Sequence, residues 1–134
     1  MTKFDWRLLD KSQCYDELVE WWEAHQAFEG RIIEYSSMPH RVFVVSKNGI
    51  DLYAVAVYVT DSDLCWIGWI TSNPNSPLKL RAGALDFLYS IIAIVMKAQG
   101  FNQIISKTNN RGLKRVLESN AFVLAENANF YVKK

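Results

Sequence analysis

Between Arg41 and Thr71 three apolar runs follow one another with only short turns between them, and this pattern narrows the fold more than any other feature of the chain. Arg41-Val42-Phe43-Val44-Val45-Ser46 reads as extended, and Lys47-Asn48-Gly49 closes it, with Asn-Gly supplying the positive φ of a tight hairpin. Leu52 to Thr60 is apolar on both faces, as a strand covered on both sides requires. Asp61-Ser62-Asp63 turns the chain again, and Leu64 to Thr71 returns. Strands joined this closely pair as an antiparallel meander, because a parallel crossover needs a dozen or more residues.

The flanks change period. Trp6-Arg7-Leu8-Leu9 is a short strand, and Ser12 is expected to cap the helix that follows. In that helix Tyr15, Leu18, Val19 and Trp22 share one face, while Asp16, Glu17, Glu20 and Glu23 meet water. Arg31 to Pro39 is either a short second helix or a loop. Beyond the meander, Pro74 and Pro77 break the pattern, and a long helix runs from Leu78 to about Ala98, with Gly100 ending it. Gln103 to Lys107 is a strand, and Asn109 or Asn110 caps a helix through Glu118 with Leu113, Val116 and Leu117 inward. Ala121–Leu124 and Asn129–Val132 close the chain as strands. The order β-α-(α)-β-β-β-α-β-α-β-β predicts a single α+β domain over residues 1–134, a mixed and mostly antiparallel sheet flanked by helices.

Composition removes several classes of function. The 134 residues suit one core, and half of them are hydrophobic, as a globular chain requires. Phe87 to Met96 is the longest apolar stretch, about half of the roughly 20 residues that span a bilayer, so it reads as a core helix. Charge occurs throughout the first eleven residues, which argues against a secretory signal and for a cytoplasmic protein. Cys14 and Cys65, far apart and with two scattered histidines, form no metal spacing and read as reduced, partly buried thiols. Residues 1–75 hold six Lys/Arg against eleven Asp/Glu, and residues 76–134 hold nine against three. A basic C-terminal half suits an anionic small molecule or an acidic protein partner, but its cations are too scattered for a nucleic-acid footprint.

The element order resembles the GNAT superfamily of N-acetyltransferases along nearly the whole chain. Two local features add to the topology. Asn110-Arg-Gly-Leu113-Lys-Arg-Val116-Leu117 through Ala121-Phe122 is similar to the family's late helix and the strand after it. Gly83 falls near the start of the long helix, where the family has its acetyl-CoA loop, Arg/Gln-x-x-Gly-x-Gly/Ala. Aligned on Gly83, the outer positions of that motif are Leu80 and Leu85, while Lys79 and Arg81 supply cations out of frame. The chain also resembles small GNAT-like proteins of tailed phages, by its length, Cys65-Trp66, Thr71-Ser72 and the late Asn helix.

The resemblance implies acetyl-CoA as cofactor. The pantetheine arm would lie along Trp69, Ile70 and Thr71, the pyrophosphate at Lys79, Arg81, Ala82 and Gly83, and Asn110 would complete the cofactor side. Catalytic positions are thin. Leu117 stands where many members have a tyrosine acid, and the three meander strands contain no acid or histidine. His40, Glu29 or Glu34 in the preceding loop, and Tyr131 are the candidates that remain. Two readings therefore stay open: an N-acetyltransferase with an unknown acceptor and a degenerate cofactor loop, or a catalytically inactive GNAT-fold binding or assembly protein acting through its surface.

Overall fold

The three apolar runs pair as their spacing predicts. A computed structural model describes residues 3–25, 32–108 and 111–123. In chain order its elements are β1 (Asp5–Asp10), α1 (Lys11–Ala24), β2 (Arg41–Lys47), β3 (Ile50–Val59), β4 (Leu64–Ser72), α2 (Leu78–Arg81), α3 (Ala84–Ala98), β5 (Gln103–Ser106) and α4 (Arg111–Ser119). Among the described residues the five strands form one sheet in the order β1-β2-β3-β4-β5. The first three pairings are antiparallel and β4–β5 is parallel. β3 is the central strand, as its two apolar faces require.

Each face of the sheet carries its own core. Val55, Val57, Ile67 and Cys65 point to the side of α3, where Leu88, Ile92 and Met96 are fully buried against them and Phe87 and Ile91 pack half-buried at the margin. Ala54, Ala56, Val42 and Val44 point to the side of α1, under Cys14, Leu18, Trp21 and Trp22. The two thiols thus lie on opposite faces, both free and buried, and burial pushes Cys14 up to about 11. No described helix is long and apolar enough to cross a membrane.

The structure corrects three local expectations and decides a fourth that the sequence leaves open. Asp10, not Ser12, caps α1: its carboxylate accepts from the Ser12 amide at 3.0 Å, while Gln13 accepts from the Asp10 amide at 2.8 Å. This is a reciprocal capping box. Bonds from the Ser12 hydroxyl and amide, then His40, hold the Asp10 pKa at about 2, so the capping anion persists until pH falls into that range. Between Ile32 and Pro39 there is one 3-10 turn, Tyr35–Ser37, rather than a second α-helix. The helix expected from Leu78 to Ala98 is broken, because Gly83 takes φ 79°, a left-handed conformation that ends α2 and restarts the chain as α3. Finally, Ala121 to Val123 form a turn and an irregular segment rather than the start of a strand.

Ala121 sits at φ 65° in the turn that closes α4, where the Phe122 amide donates to Leu117 O (2.9 Å) and the Ala121 amide to Glu118 O (3.1 Å). The same bonds recur after α3, with Gly100 in the left-handed position. An alanine there is strained by its Cβ, so Ala121→Gly is expected to stabilise the protein by about 1 kcal/mol, read as a raised urea midpoint at unchanged m. Leu124 and the Asn129–Val132 strand lie outside the described residues.

Candidate functional site

The β4–β5 pairing is short. It joins Leu64–Ile67 to Gln103–Ser106 and stops, while β4 continues to Ser72 paired, among the described residues, with β3 alone. Trp69, Ile70 and Thr71 lie on this stretch, beyond the last β4–β5 pair, Ile67 with Ser106, and before the loop that leads to α3.

A bulge re-aims β4 where it leaves β5. Val57 pairs with Ile67 and Val55 with Ile70, so Ala56 faces two residues, Gly68 and Trp69. Such a bulge turns two successive side-chain positions to one face, here the face of α1. The ring of Tyr58 lies over Gly68 so closely that a Cβ there would overlap it, with the ring's Cδ2 at 2.7 Å. The Tyr58 hydroxyl accepts from the Trp69 indole at 2.8 Å and donates to Ser37 O at 2.7 Å. The bulge, the central strand and the segment between α1 and β2 are therefore tied through one phenol.

That segment is pinned elsewhere as well. Lys11, only 7% exposed, donates to Tyr35 O (2.7 Å) and Met38 O (3.2 Å), with its ammonium 4.2 Å from the Tyr35 ring centroid. A buried ammonium needs such partners, and here carbonyl dipoles and a π face supply them. Tyr15 donates to Ile33 O at 2.6 Å. The Trp22 indole donates to Thr71 Oγ1 at 2.9 Å, and His25 Nε2 lies 3.0 Å from Ser72 O, so the C-terminal end of β4 is also fastened to α1. Between these parts lies a shallow depression lined by Leu18, Trp22, Met38, Ala56, Trp69 and Thr71. Among the described residues its lining holds no carboxylate and no imidazole.

In the loop after β4, Gly83 and Ala82 are exposed before α3, and the first α3 bond to the preceding loop is Phe87 N to Gly83 O at 3.0 Å. The first-turn amides of α3 thus point out of its N-terminus, as the first amides of any helix do. Asp86, an anion in this first turn, is drawn toward α4 by the Ser119 hydroxyl at 2.7 Å and Asn120 at 3.4 Å. Arg81 is committed to the loop: Nε donates to Ser76 Oγ (2.7 Å), and Nη2 to Asn73 O (2.6 Å) and Ser76 O (3.0 Å). It holds the Asn73–Arg81 segment closed, while Lys79 is exposed. Leu80 and Leu85 pack half-buried against the α3-side core. Tyr89 is buried in this core, and burial raises its pKa against a smaller pull from the nearby Ser106 side chain.

The structure does not gather the sequence candidates into one constellation. Glu34 is exposed, and its carbonyl accepts the Ser37 amide of the 3-10 turn. His40 is 3.0 Å from Asp10, just before Arg41, which pairs with Val57 at the level where β5 diverges but two strands away from β4. Glu29, Asn110 and Tyr131 lie outside the described residues. Tyr58, Lys11 and His25 escaped sequence reasoning, because their partners are 21 to 47 residues away. Gly68 inside an apolar strand was the one available signal, since glycine there marks a bulge or a close approach.

Solved structures share this architecture. An aminoglycoside acetyltransferase from an uncultured soil metagenomic sample, crystallised with sisomicin, matches 98% of this chain and 96% of its own at TM-score 0.74 and 15% identity. The aminoglycoside N-acetyltransferase AAC(6')-Iy in complex with CoA matches 100% of this chain and 97% of its own, at TM-score 0.63 and 18% identity. A ribosomal-protein-alanine N-acetyltransferase from Brucella melitensis biovar Abortus 2308 matches 98% and 99%, at TM-score 0.68 and 11% identity. No protein-family model and no curated protein matches the sequence. At such identities the likeness is one of fold.

Proposed function

We propose, from the premise that this chain has the GNAT fold, that it holds CoA or acetyl-CoA in the cleft between β4 and β5 and is an N-acetyltransferase-like protein. The observation that carries this reading is the one-sided stretch of β4 beyond Ile67, which ends beside a helix whose entry is set by a left-handed glycine. An extended amide-bearing arm can add to such an edge as a strand would. In this reading Trp69, Ile70 and Thr71 bond the pantetheine. The amides at Arg81, Ala82 and Gly83 and the first turn of α3 meet the pyrophosphate, where the helix dipole favours negative charge. Lys79 adds a cation from the side, Arg81 keeps the loop closed, and Asn110 opens α4 near the same ligand.

The acceptor amine would reach the thioester from the α1 side, over Trp69. With no acid or base among the described residues of the depression, catalysis would rest on positioning an amine that arrives deprotonated, so the rate should climb with pH toward the amine's own pKa. That same absence favours a second reading, a GNAT-fold binding protein that keeps the cleft without the chemistry.

Calorimetry and thermal melting with CoA and acetyl-CoA test the proposal. Ligand at about a thousandfold excess over Kd is expected to stabilise the fold by roughly 4 kcal/mol, on the order of 10 °C in Tm. No heat and no shift at millimolar ligand would overturn it. Binding without thiol release across a panel of primary amines would support the second reading.

A further inference from the structure

The open edge of β1 is built to pair with itself. Among the described residues β1 has a neighbour on one side only, β2, so its outer backbone groups face no strand. Its side chains are unusual for an unprotected edge. Trp6 is 40% exposed and Leu8 37%, and both stand on the α3 side, where Trp6 stacks on Phe43 at 6.4 Å. Phe4 continues this row, with its ring 5.5 Å from that of Phe87. On the opposite face Asp5 and Arg7 alternate with them, Arg7 being already 3.0 Å from Asp51 and still half-exposed.

We propose that a second copy of this chain docks on this edge, β1 against β1, antiparallel about a two-fold axis through Trp6. The axis must stand normal to the sheet, so it passes through a residue, and each choice of residue fixes every opposing pair. Centred on Trp6, Trp6 meets Trp6, Phe4 meets Leu8 twice, and Asp5 meets Arg7 twice. Apolar side chains then oppose apolar ones on the α3 face, and opposite charges oppose each other on the α1 face. Neighbouring registers fail. A centre at Asp5 sets Asp5 against itself and Lys3 against Arg7, and one at Arg7 sets Arg7 against itself and Phe4 against Asp10. A centre at Leu8 sets Trp6 against Asp10. Of the registers centred from Asp5 to Leu8, this one alone matches both faces over Phe4–Leu8, and it joins the two five-stranded sheets across a continuous seam. The alternative role for Asp5 and Arg7, charges that keep an edge strand from pairing at all, predicts a monomer.

Analytical ultracentrifugation of the full chain decides between them. The expected result is a concentration-dependent dimer that Trp6→Glu abolishes while circular dichroism stays unchanged. Asp5→Arg alone, which sets like charges across the seam and leaves Asp51 untouched, is expected to raise the dimer dissociation constant by about tenfold or more. Asp5→Arg combined with Arg7→Asp restores opposite charges, and with them the dimer. A wild-type monomer throughout the micromolar range overturns the proposal, as does a dimer indifferent to Trp6→Glu and Asp5→Arg. Neither outcome depends on CoA, so this surface and the proposed ligand cleft stand or fall separately.

Discussion

Val55→Asp is expected to leave no folded protein in the soluble fraction. Val55 is fully buried on the central strand, between Phe43 of β2 and Ile70 of β4, in the core under α3. The described residues clustered with it are hydrophobic, and an uncompensated buried charge costs several kcal/mol. The loss of the valine's own burial adds about 2 kcal/mol. The total is comparable with the roughly 5–15 kcal/mol that stabilises an ordinary domain. Val55 discriminates better than the equally buried Val57, which has Arg41 directly across from it and therefore a possible counter-ion. A soluble Val55→Asp protein with a native circular dichroism spectrum and a cooperative melt would contradict the position of β3.

The second large effect belongs to Gly68. Gly68→Ala is expected to lower stability by about 2–3 kcal/mol, because the new Cβ takes space that the Tyr58 ring occupies. The ring cannot shift alone. Its hydroxyl joins the Trp69 indole to Ser37 O, so displacement breaks both bonds. The penalty should therefore depend on the tyrosine. In a Tyr58→Ala background, itself destabilised, Gly68→Ala is expected to cost less than about 1 kcal/mol, and the difference between backgrounds measures the ring–backbone contact. Equal penalties in both backgrounds would show that the bulge geometry of β4, rather than Tyr58, demands glycine. Urea denaturation of the four proteins supplies the cycle.

Much of the fold could be read in the chain because it rests on local periodicity. Val42 to Val45, Leu52 to Val59 and Leu64 to Thr71 are too closely joined to pair in any other way, and Asn48-Gly49 sets their first turn with φ values of 54° and 75°. The long helix could be read for the same reason, but its break could not. Leu80, Ala84 and Leu88 keep a helical spacing straight through Gly83, and glycine is tolerated inside a helix as well as between two. The cap of α1 was misplaced by two residues because Asp10 and Ser12 are both good caps. Pairing decided it: β1 stays in register with β2 as far as Asp10, opposite Arg41, so the first helical residue is Lys11.

The candidate site divides along the same line. Gly83, Lys79, Arg81 and the end of β4 were visible because they lie close together in sequence around two prolines. What each side chain does was not visible. Arg81 spends its guanidinium on Asn73 and Ser76 of its own loop, and Lys11, in an acidic amphipathic helix, is buried under a segment more than 20 residues later. By itself the sequence determined where the backbone extends, coils and turns, since those preferences come from each residue and its near neighbours. Tertiary structure alone decided the bulge at Gly68–Trp69, the divergence of β5 from β4 and the Tyr58 bridge. Each depends on where two strands stop matching in length and on which distant polar group fills the gap, and neither quantity is carried by any local stretch of sequence.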